Sequence, residues 1–121
     1  MAGQRTVSDK LGIRAGGSIL LVSAPPGFSI DPLPPGARID YAPPADTVLV
    51  FAATSAEFLD RVPAAVRSLG ARGQLWVGYP ANSKTDLTRD TVRDLGASIG
   101  LDLVALHSLD DNWSAVRLKR P

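Results

Sequence analysis

The chain has 121 residues, a formal net charge of +1 and no cysteine. A chain of this length is expected to form one α/β domain, 1–121, with a single hydrophobic core. Its acidic and basic residues are interspersed, which argues against the basic stripe that neutralises phosphates, so we expect no nucleic-acid partner. The lack of cysteine excludes disulfides, thiolate catalysis and Cys-ligated metal centres, and it fits a reducing cytoplasm.

No segment of the sequence is typical of a membrane protein or of a secreted one. The longest mostly apolar run, Ser18 to Ala24, is far shorter than the ~20 residues of a membrane-spanning helix. The N-terminus lacks the apolar core of a signal peptide, and residues 1–8 are polar and expected to be disordered. We therefore expect a soluble cytoplasmic protein with no membrane partner.

The first predicted elements are a short helix, a buried strand and a long connection. Asp9 to Arg14 is expected to form the helix, which ends at the Gly16–Gly17 pair. The apolar run from Ile19 to Val22 predicts a strand covered on both faces. Prolines exclude regular helix over most of the segment from Ala24 to Pro44, although Ala37 to Tyr41 is expected to form a short edge strand. A connection this long is expected either to bind a ligand or to cover an edge.

A strand–helix unit follows the connection. Thr47 to Phe51 is an unbroken apolar run that predicts a second buried strand, and Ser55 is expected to cap the helix after it. Pro63 predicts a kink in this helix or a split into two, and Gly70 and Gly73 are expected to mark its end. The apolar face that should meet the sheet consists of Phe58, Leu59, Val62, Val66 and Leu69.

The last third of the chain predicts another unit and a hairpin. Leu75 to Gly78 is expected to be a strand, which stops at Pro80. The next helix is expected to begin at a cap formed by Asp86 or Thr88 and to end at Gly100. Its apolar face should consist of Val92, Leu95 and Ile99. Two further strands, Leu101 to Leu109 and Trp113 to Lys119, are separated by the turn Asp110-Asp111-Asn112.

This alternation of strands and helices predicts an α/β fold. The sheet is expected to be mainly parallel and Rossmann-like, with about five to six strands and helices on its faces. The C-terminal antiparallel hairpin distinguishes the predicted order of elements from that of a plain flavodoxin-like domain.

The sequences of these elements resemble those of a known enzyme family. ADTVLVFAA, LGARGQLWVGYP and GLDLVALHSLDDNWSAVRLKR, between Ala45 and Arg120, are similar to the C-terminal half of class I S-adenosylmethionine-dependent methyltransferases. KLGIRAGGSILLVSAPPGF resembles the first strand of that family and the segment leading to it. Two helices and the second and third strands that should follow are mostly missing, so the resemblance implies a truncated methyltransferase fold.

A closer resemblance covers nearly the whole chain. KLGIRAG, TDLTRD at Thr85 to Asp90 and DDNWS at Asp110 to Ser114 are similar, in this order, to a small bacterial family of uncharacterised proteins known as a domain of unknown function. This resemblance implies the same fold but no activity that can be carried over.

The segment after the first strand departs from methyltransferase chemistry. The resemblance implies a glycine-rich turn, where the backbone approaches the cofactor, and an acidic residue at the end of the second strand for the ribose hydroxyls. This chain instead has Ala24, Pro25 and Pro26, with Gly27 as the one glycine of the turn. Asp31 and Asp40 could replace the ribose carboxylate, but no strand pattern places them. We therefore expect no cofactor and no normal S-adenosylmethionine binding.

Ligands of open α/β sheets bind at the carboxyl ends of the parallel strands, so polar residues in those positions are the candidate site. The ligand-binding candidates are Gly27, Ser55, Lys84, Asp86, Arg89, Asp110 and Asp111. Pro25, Thr54, Asn82 and Thr85 are expected at the same edge. The functional hypothesis is an anion or nucleotide at the helix start near Asp86, with Lys84 and Arg89 supplying charge. The structural alternative, which we favour, makes Asp86 a helix cap and pairs Arg89 with Asp110 or Asp111.

Other candidate residues have structural explanations. Asp110 and Asp111 could hold a cation, but an Asp/Asn-rich turn explains them and no further ligand lies at suitable spacing, so we expect no metal. His107 is expected to fill a core or edge position, and no GxSxG motif surrounds a serine at a strand end. Trp76 and Trp113 are expected to serve packing or self-association.

Three functions are compatible with these observations. The first is a binding or regulatory module on a degenerate methyltransferase-like fold, with an unknown protein or small-molecule partner. The alternative is a small enzyme or an anion- or nucleotide-binding protein that uses the rim around Lys84, Asp86 and Arg89. The third is a homo-oligomer that associates through a sheet edge or the Trp113 hairpin. No catalytic residue can be assigned, and the first function is favoured.

Overall fold

The computed structural model describes residues 6–30, 32–39 and 44–120. In these ranges the chain forms six strands, three α-helices and a short 3-10 turn at Ala81–Ser83. The strands are β1 (Ser18–Val22), β2 (Arg38–Ile39), β3 (Ala45–Phe51), β4 (Leu69–Pro80), β5 (Asp102–Ser108) and β6 (Trp113–Lys119). The helices are α1 (Val7–Leu11), α2 (Ser55–Arg67) and α3 (Arg89–Ser98).

The strands form one sheet in the order β2-β1-β3-β4-β6-β5. β1 to β4 pair in parallel, whereas β6 lies antiparallel between β4 and β5. The chain therefore leaves β4, crosses over to the outer strand β5 and returns through the hairpin to fill the gap. The predicted mainly parallel sheet with a C-terminal antiparallel hairpin is confirmed.

Two apolar clusters cover the two faces of the sheet. On one face, α2 and α3 pack against β3, β4 and β6, and Phe58 and Val62 of α2 and Val92 of α3 are fully buried there. On the other face, α1 and the connection between β1 and β2 cover Leu49, Phe51 and Trp76. Because side chains alternate between faces along a strand, continuous apolar runs are needed where both faces are covered, and the sequence has such runs in β1 and β3. This confirms the prediction of strands buried on both faces.

The connection between β1 and β2 covers, together with α1, the face of the sheet opposite α2 and α3. Ile30 is 2% exposed, and Phe28 and Leu33 pack against the same cluster. The Ser8 hydroxyl of α1 lies 2.8 Å from the carbonyl oxygens of both Ile30 and Pro32, which ties the connection to α1. None of the described residues between β1 and β2 is helical. The predicted edge strand is present as β2, although Asp40 and Tyr41 lie outside the described residues.

The N-terminal helix differs from its prediction. It spans Val7–Leu11, begins at a Thr6 cap that forms a capping box with Asp9, and ends at Gly12 with φ of 69° rather than at Gly16–Gly17. Gly12 adopts the left-handed conformation that terminates helices and that glycine adopts without strain. Val7 and Ser8 therefore belong to a helix, so the expected disorder up to residue 8 is wrong for them. Residues 1–5 lie outside the described part of the chain.

The α2 helix also departs from the sequence prediction in several details. Its cap is Thr54 rather than Ser55, because the Thr54 hydroxyl accepts from the Glu57 amide at 3.2 Å. Pro63 neither splits it nor ends it, since α2 continues from Ser55 to Arg67. The proline removes the donor for the Leu59 carbonyl, and this turn of the helix faces water, with Leu59 48% exposed. Leu59 is therefore not part of the buried face.

The glycines that were expected to end α2 lie in β4 instead. The helix stops at a Ser68 cap, and β4 starts at Leu69. Ala45 of β3 pairs with Leu69 and Thr47 pairs with Gln74, so one residue of β3 faces an outward bulge of four residues in β4. A Cβ on Gly73 would stand 2.9 Å from the Ala45 carbonyl oxygen, which explains why glycine is required in this bulge.

The α3 helix confirms one of the two predicted caps. Thr88 is its cap, and the Thr88 hydroxyl accepts from the Thr91 amide at 3.4 Å. Val92 is buried and Leu95 is half-buried as predicted, but Ile99 is the C-terminal cap residue and is 37% exposed. Gly100 follows with φ of 83°, the conformation expected of a glycine that ends a helix.

Candidate functional site

The carboxyl ends of β1, β3 and β4 lie side by side and define the carboxyl edge of the sheet. Three short segments leave the strands at this edge: the one after Val22, the one after Phe51 and the one after Pro80. The hairpin turn between β5 and β6 lies next to the end of β4, because Ala81 donates its amide hydrogen to the Asn112 carbonyl at 2.8 Å. The seven residues predicted to bind a ligand come from these segments and this turn.

After β1 the chain turns back over the sheet instead of entering a helix. Ser23 has φ of 59°, and the Phe28 amide donates to the Pro25 carbonyl at 3.1 Å, which closes the turn. Gly27 has φ of 80° and lies in open space. The Phe28 ring packs edge-on against Phe51, with 4.9 Å between the ring centroids. An aromatic side chain and a proline turn therefore stand where a nucleotide-binding fold places a glycine-rich loop and a helix N-terminus.

After β3 the amide groups at the start of α2 are bonded within the protein. The Ala53 amide donates to Glu57 Oε1 at 2.8 Å, and the Ser55 amide donates to Asp86 Oδ1 at 3.0 Å. Glu57 also pairs with Arg61 at 3.1 Å. The structure thus brings Ser55 and Asp86 together, as expected for one site, but Asp86 caps α2 and not α3. A carboxylate of the protein itself occupies the positive end of this helix.

After β4 the predicted basic residues diverge. Lys84 Nζ donates to Asn112 Oδ1 at 3.3 Å, next to the hairpin turn. Arg89 lies at the start of α3 with its side chain 62% exposed, and its Nε is 3.6 Å from Asp90. The expected pairing of Arg89 with Asp110 or Asp111 is therefore wrong, because the neighbouring Asp90 is its partner. Lys84, Asp86 and Arg89 are near in sequence but contact three different parts of the edge.

The two predicted carboxylates of the hairpin have different environments. Asp110 Oδ1 accepts from the amides of Asn112 at 2.7 Å and Trp113 at 2.9 Å, so it holds the turn together. Asp111 is exposed. The structural explanation of this turn is confirmed for Asp110. Within the described ranges, no three His, Asp or Glu side chains are close enough together to hold a metal ion.

The histidine and the tryptophans lie in the packing between the sheet and α1. The His107 ring of β5 lies 5.6 Å from the Trp76 ring of β4, across the intervening strand β6, and Trp76 Nε1 donates to the Leu11 carbonyl at 3.1 Å. Trp113 is half-buried and packs edge-on against Phe51, with 5.2 Å between centroids. The predicted packing role of all three rings is confirmed.

The sequence analysis missed Tyr79, the last aromatic residue before the end of β4. Tyr79 is 5% exposed and hydrogen-bonds to the Ser114 side chain, and burial raises its pKa above the usual 10.0. It lines a cavity of about 380 Å³ at the carboxyl edge together with Asn82, Thr88, Arg89, Asp90, Leu106 and Ser114. The sequence feature that could have indicated Tyr79 is its phenol, because a tyrosine at the end of an apolar run brings a polar group to the end of the strand.

Asn82 adds a second unusual feature at this cavity. Its φ is 65°, and Ser23 and Asn82 are the non-glycine residues with positive φ among those the structure describes. Ser23 is the first residue after β1 and Asn82 is the second residue after β4, so both lie at the carboxyl edge. Strained backbone of this kind costs about 1 kcal/mol or more per residue and is concentrated at functional sites.

Comparison with known proteins identifies the architecture. The chain matches no protein-family model and no curated protein. A TehB-like SAM-dependent methyltransferase from Corynebacterium glutamicum has a similar structure, with a TM-score of 0.58 and 14% identity over 99% of this chain and 90% of that one. A precorrin-6y C5,15-methyltransferase from Geobacter metallireducens gives 0.57 and 14% identity, over 95% and 86%. The chain has a truncated class I methyltransferase-like fold.

The chain is also similar in structure to a Rossmann protein that is not described as a methyltransferase. A protein of the NADB-Rossmann superfamily from Streptococcus agalactiae gives a TM-score of 0.54 at 8% identity, over 99% of this chain and 69% of that one. At such identities the likeness establishes the fold alone. The resemblance of the sequence motifs to a bacterial family of uncharacterised proteins stays a prediction, because no family model matches the chain. Among the residues that the structure describes, no helix is both long and apolar enough to cross a bilayer.

Proposed function

We propose that this chain is a binding or regulatory module of the cytoplasm that has the methyltransferase architecture but does not bind S-adenosylmethionine in the normal way. The observation that carries the proposal is the packing of Phe28 on Phe51 at the carboxyl edge. Phe51 is 1% exposed and also contacts Trp113, so the three rings form one closed cluster over the end of β3. A nucleoside bound beside β1 would have to displace Phe28.

The backbone after β1 supports the same proposal. Pro25 and Pro26 have no amide hydrogen, and the Phe28 amide is bonded to Pro25. Cofactor binding at this point of a Rossmann-like sheet depends on free amide donors and on the N-terminus of a following helix. Asp31 and Asp40, the possible substitutes for a ribose-binding carboxylate, lie outside the described residues, and their role stays a prediction.

The test is ligand-dependent stability. S-adenosylmethionine and S-adenosylhomocysteine are added to the purified protein in a thermal-shift assay and in calorimetric titrations, with an active class I methyltransferase as the assay control. A ligand at 100 times its Kd stabilises a protein by about 2.7 kcal/mol. For 121 residues this corresponds to a Tm increase of about 10 °C. We expect no increase for this chain, and a saturable increase with either compound would overturn the proposal.

A second candidate function is favoured by the strained residue Asn82 and the cavity next to Tyr79. We propose as the alternative that this part of the carboxyl edge binds an anion or a nucleotide-like ligand, or supports a small enzyme activity, with Arg89 in the lining of the cavity and Lys84 beside the hairpin turn. Lys84 is bonded to an amide oxygen rather than a carboxylate, so its charge remains available to an anion. Asp86 takes no part, because its carboxylate caps α2.

This alternative is tested with a panel of nucleotides and phosphorylated metabolites. We expect a stabilising compound to lose its effect in a Lys84→Ala/Arg89→Ala double variant and to keep it in Asp111→Ala, which removes an exposed charge of the adjacent turn. A panel without any stabilising compound, or one that stabilises the double variant equally well, would eliminate the carboxyl-edge site.

Self-association is a third proposal and rests on the edge strand β5. Val104 is 49% exposed and Leu106 is 44% exposed, and this strand has a free edge beyond β6 in the described sheet. Exposed apolar residues on a free edge favour pairing with another strand. Light scattering at two protein concentrations tests this, with a concentration-dependent increase in mass expected and a strictly monomeric mass contradicting it.

A further inference from the structure

The opposite end of the sheet has a concentration of basic side chains. We call this end the amino edge. It consists of the loop before β1, the first two residues of β3, the bulge of β4 and the end of β6. Two cavities of about 430 and 370 Å³ lie at this edge, and Arg72, Gln74 and Arg117 contribute to the lining of both. Their basic lining residues are Arg14, Arg72, Arg117, Lys119 and Arg120.

Basic residues outnumber acidic ones at the amino edge, although Asp102 of β5 lies opposite Lys119 of β6. Asp46 is the acidic residue in the described lining, and its Oδ2 already accepts from the Ser18 amide at 3.1 Å. In contrast, Arg61 of α2 and Arg89 and Arg93 of α3 each lie next to an acidic partner. Like charges repel one another when they are grouped without counter-charges, so the amino edge favours the binding of an anion.

Arg117 gives the site its most specific feature. It lies on β6 opposite Trp76 of β4 and Ala105 of β5, and both of these residues belong to the cluster beneath α1. Its Nε is buried and has no hydrogen-bond partner in the described structure. The guanidinium is permanently charged, and the half-buried Arg117 side chain lines both cavities, so its charge acts on whatever occupies them.

The bulge of β4 and the glycine loop shape the opening of these cavities. The bulge at Gly70 to Gly73 carries Arg72 at the edge of the sheet, where it is exposed. Gly16 and Gly17 leave space in front of β1, but their amides already donate to the carbonyls of Pro35 and Arg14. Recognition of an anion would therefore come from the arginine side chains, whose planar forks match the oxygens of phosphate groups.

We propose that the amino edge binds a phosphorylated small molecule or an oligophosphate through Arg72 and Arg117, with Arg14 and Lys119 at the two ends of the site. Two cavities that share both arginines suit an anion with more than one phosphate group better than a single small ion. This proposal is independent of the carboxyl edge and of whether S-adenosylmethionine binds there.

The experiment is a calorimetric titration of the whole chain with tripolyphosphate, inorganic phosphate and citrate at low and high salt. The variants are Arg72→Gln and Arg117→Gln, and Arg93→Gln is the matched control, because Arg93 is an exposed arginine of α3 with acidic partners. Arg72 is exposed, so its variant is expected to fold even if Arg117→Gln does not.

Wild type and Arg93→Gln are expected to bind tripolyphosphate more tightly than inorganic phosphate, and the affinity should fall as salt rises. Arg72→Gln should raise the Kd about tenfold, as expected for one charge-assisted hydrogen bond worth about 1.4 kcal/mol. The proposal fails if neither phosphate compound binds, if Arg72→Gln binds as tightly as Arg93→Gln, or if citrate binds as tightly as tripolyphosphate.

Discussion

Replacing glycine with alanine at two positions of the core should change stability in opposite directions. Gly78 of β4 lies opposite Phe51 of β3, and a Cβ at position 78 would stand 2.7 Å from Phe51 Cδ2 and 2.9 Å from Cε2. Gly96 lies within α3, and a Cβ there would stand 3.4 Å from a terminal methyl group of Leu118. Normal contacts between carbon atoms are about 3.5–4.0 Å, so the first substitution produces a clash and the second a close contact.

The surroundings of Phe51 determine how large the loss is. The ring cannot move away, because Phe28 and Trp113 pack edge-on against it, with centroids 4.9 and 5.2 Å away. Overpacking of a core usually costs about 1–3 kcal/mol, so we expect Gly78→Ala to lower the free energy of unfolding by about 2 kcal/mol. At Gly96 the alanine gains helix propensity of about 0.8 kcal/mol and the Leu118 methyl group can adjust, so a gain of about 0.5 kcal/mol is expected.

Urea denaturation followed by circular dichroism measures both changes. A chain of 121 residues has an unfolding entropy of about 0.25 kcal/mol/K, so Gly78→Ala should lower Tm by about 8 °C and Gly96→Ala should raise it by about 2 °C. The urea dependence of the free energy should stay unchanged, since neither substitution changes the surface exposed on unfolding. If Gly78→Ala is as stable as wild type, the reasoning from the packing of Phe51 is refuted.

Three further predictions concern polar groups of the fold. Thr54→Ala should lower the free energy of unfolding by about 1 kcal/mol while Ser55→Ala changes it by less than half as much, since the Thr54 hydroxyl caps α2; equal losses would contradict the cap assignment. Asp86→Ala should also lower the free energy of unfolding by about 1 kcal/mol, because it removes the acceptor of the Ser55 amide. Asp86→Asn keeps an acceptor and should lose less, and Asp111→Ala should leave the free energy unchanged in the same urea measurement. Burial raises the pKa of Tyr79, so above about pH 10 the folded state keeps a proton that the unfolded state releases. The stability that this group contributes should therefore be complete below about pH 10 and should be lost as the pH rises through the raised pKa. Tyr79→Phe should reduce this alkaline loss of Tm, and an unchanged pH profile would show that Tyr79 does not contribute to it.

The strands were predictable from the sequence because burial on both faces leaves a continuous apolar run. Such runs place β1 and β3 to within two residues, and the Asp/Asn-rich turn places the hairpin of β5 and β6. The ends of the helices were less predictable because they depend on neighbours in space. Gly70 and Gly73 have the usual appearance of a helix end, yet Gly73 is required by the approach of the Ala45 carbonyl to the bulge of β4.

The candidate site likewise combines features that follow from the local sequence with features that depend on neighbours in space. Sequence reasoning placed the polar residues at the carboxyl edge, since that follows from the parallel order of the strands. It could not show that Asp86 bonds to Ser55, 31 residues earlier in the chain, because this contact exists only after α2 and α3 pack side by side. Arg117 was missed for a similar reason, since its position in an alternating strand pattern gives no sign that its Nε is buried.

The two edges of the sheet differ in how their polar groups are satisfied, and this difference bears on where a ligand can bind. At the carboxyl edge, Asp86, Asp110 and Glu57 all accept hydrogen bonds from backbone amides, so most of its charge stabilises caps and turns. At the amino edge, Arg72 and Arg117 have no acidic partner in the described structure, and one of the donors is buried. The apolar connection after β1 packs Phe28 against Phe51 at the carboxyl edge. This difference is the ground on which we propose that an anion binds at the amino edge.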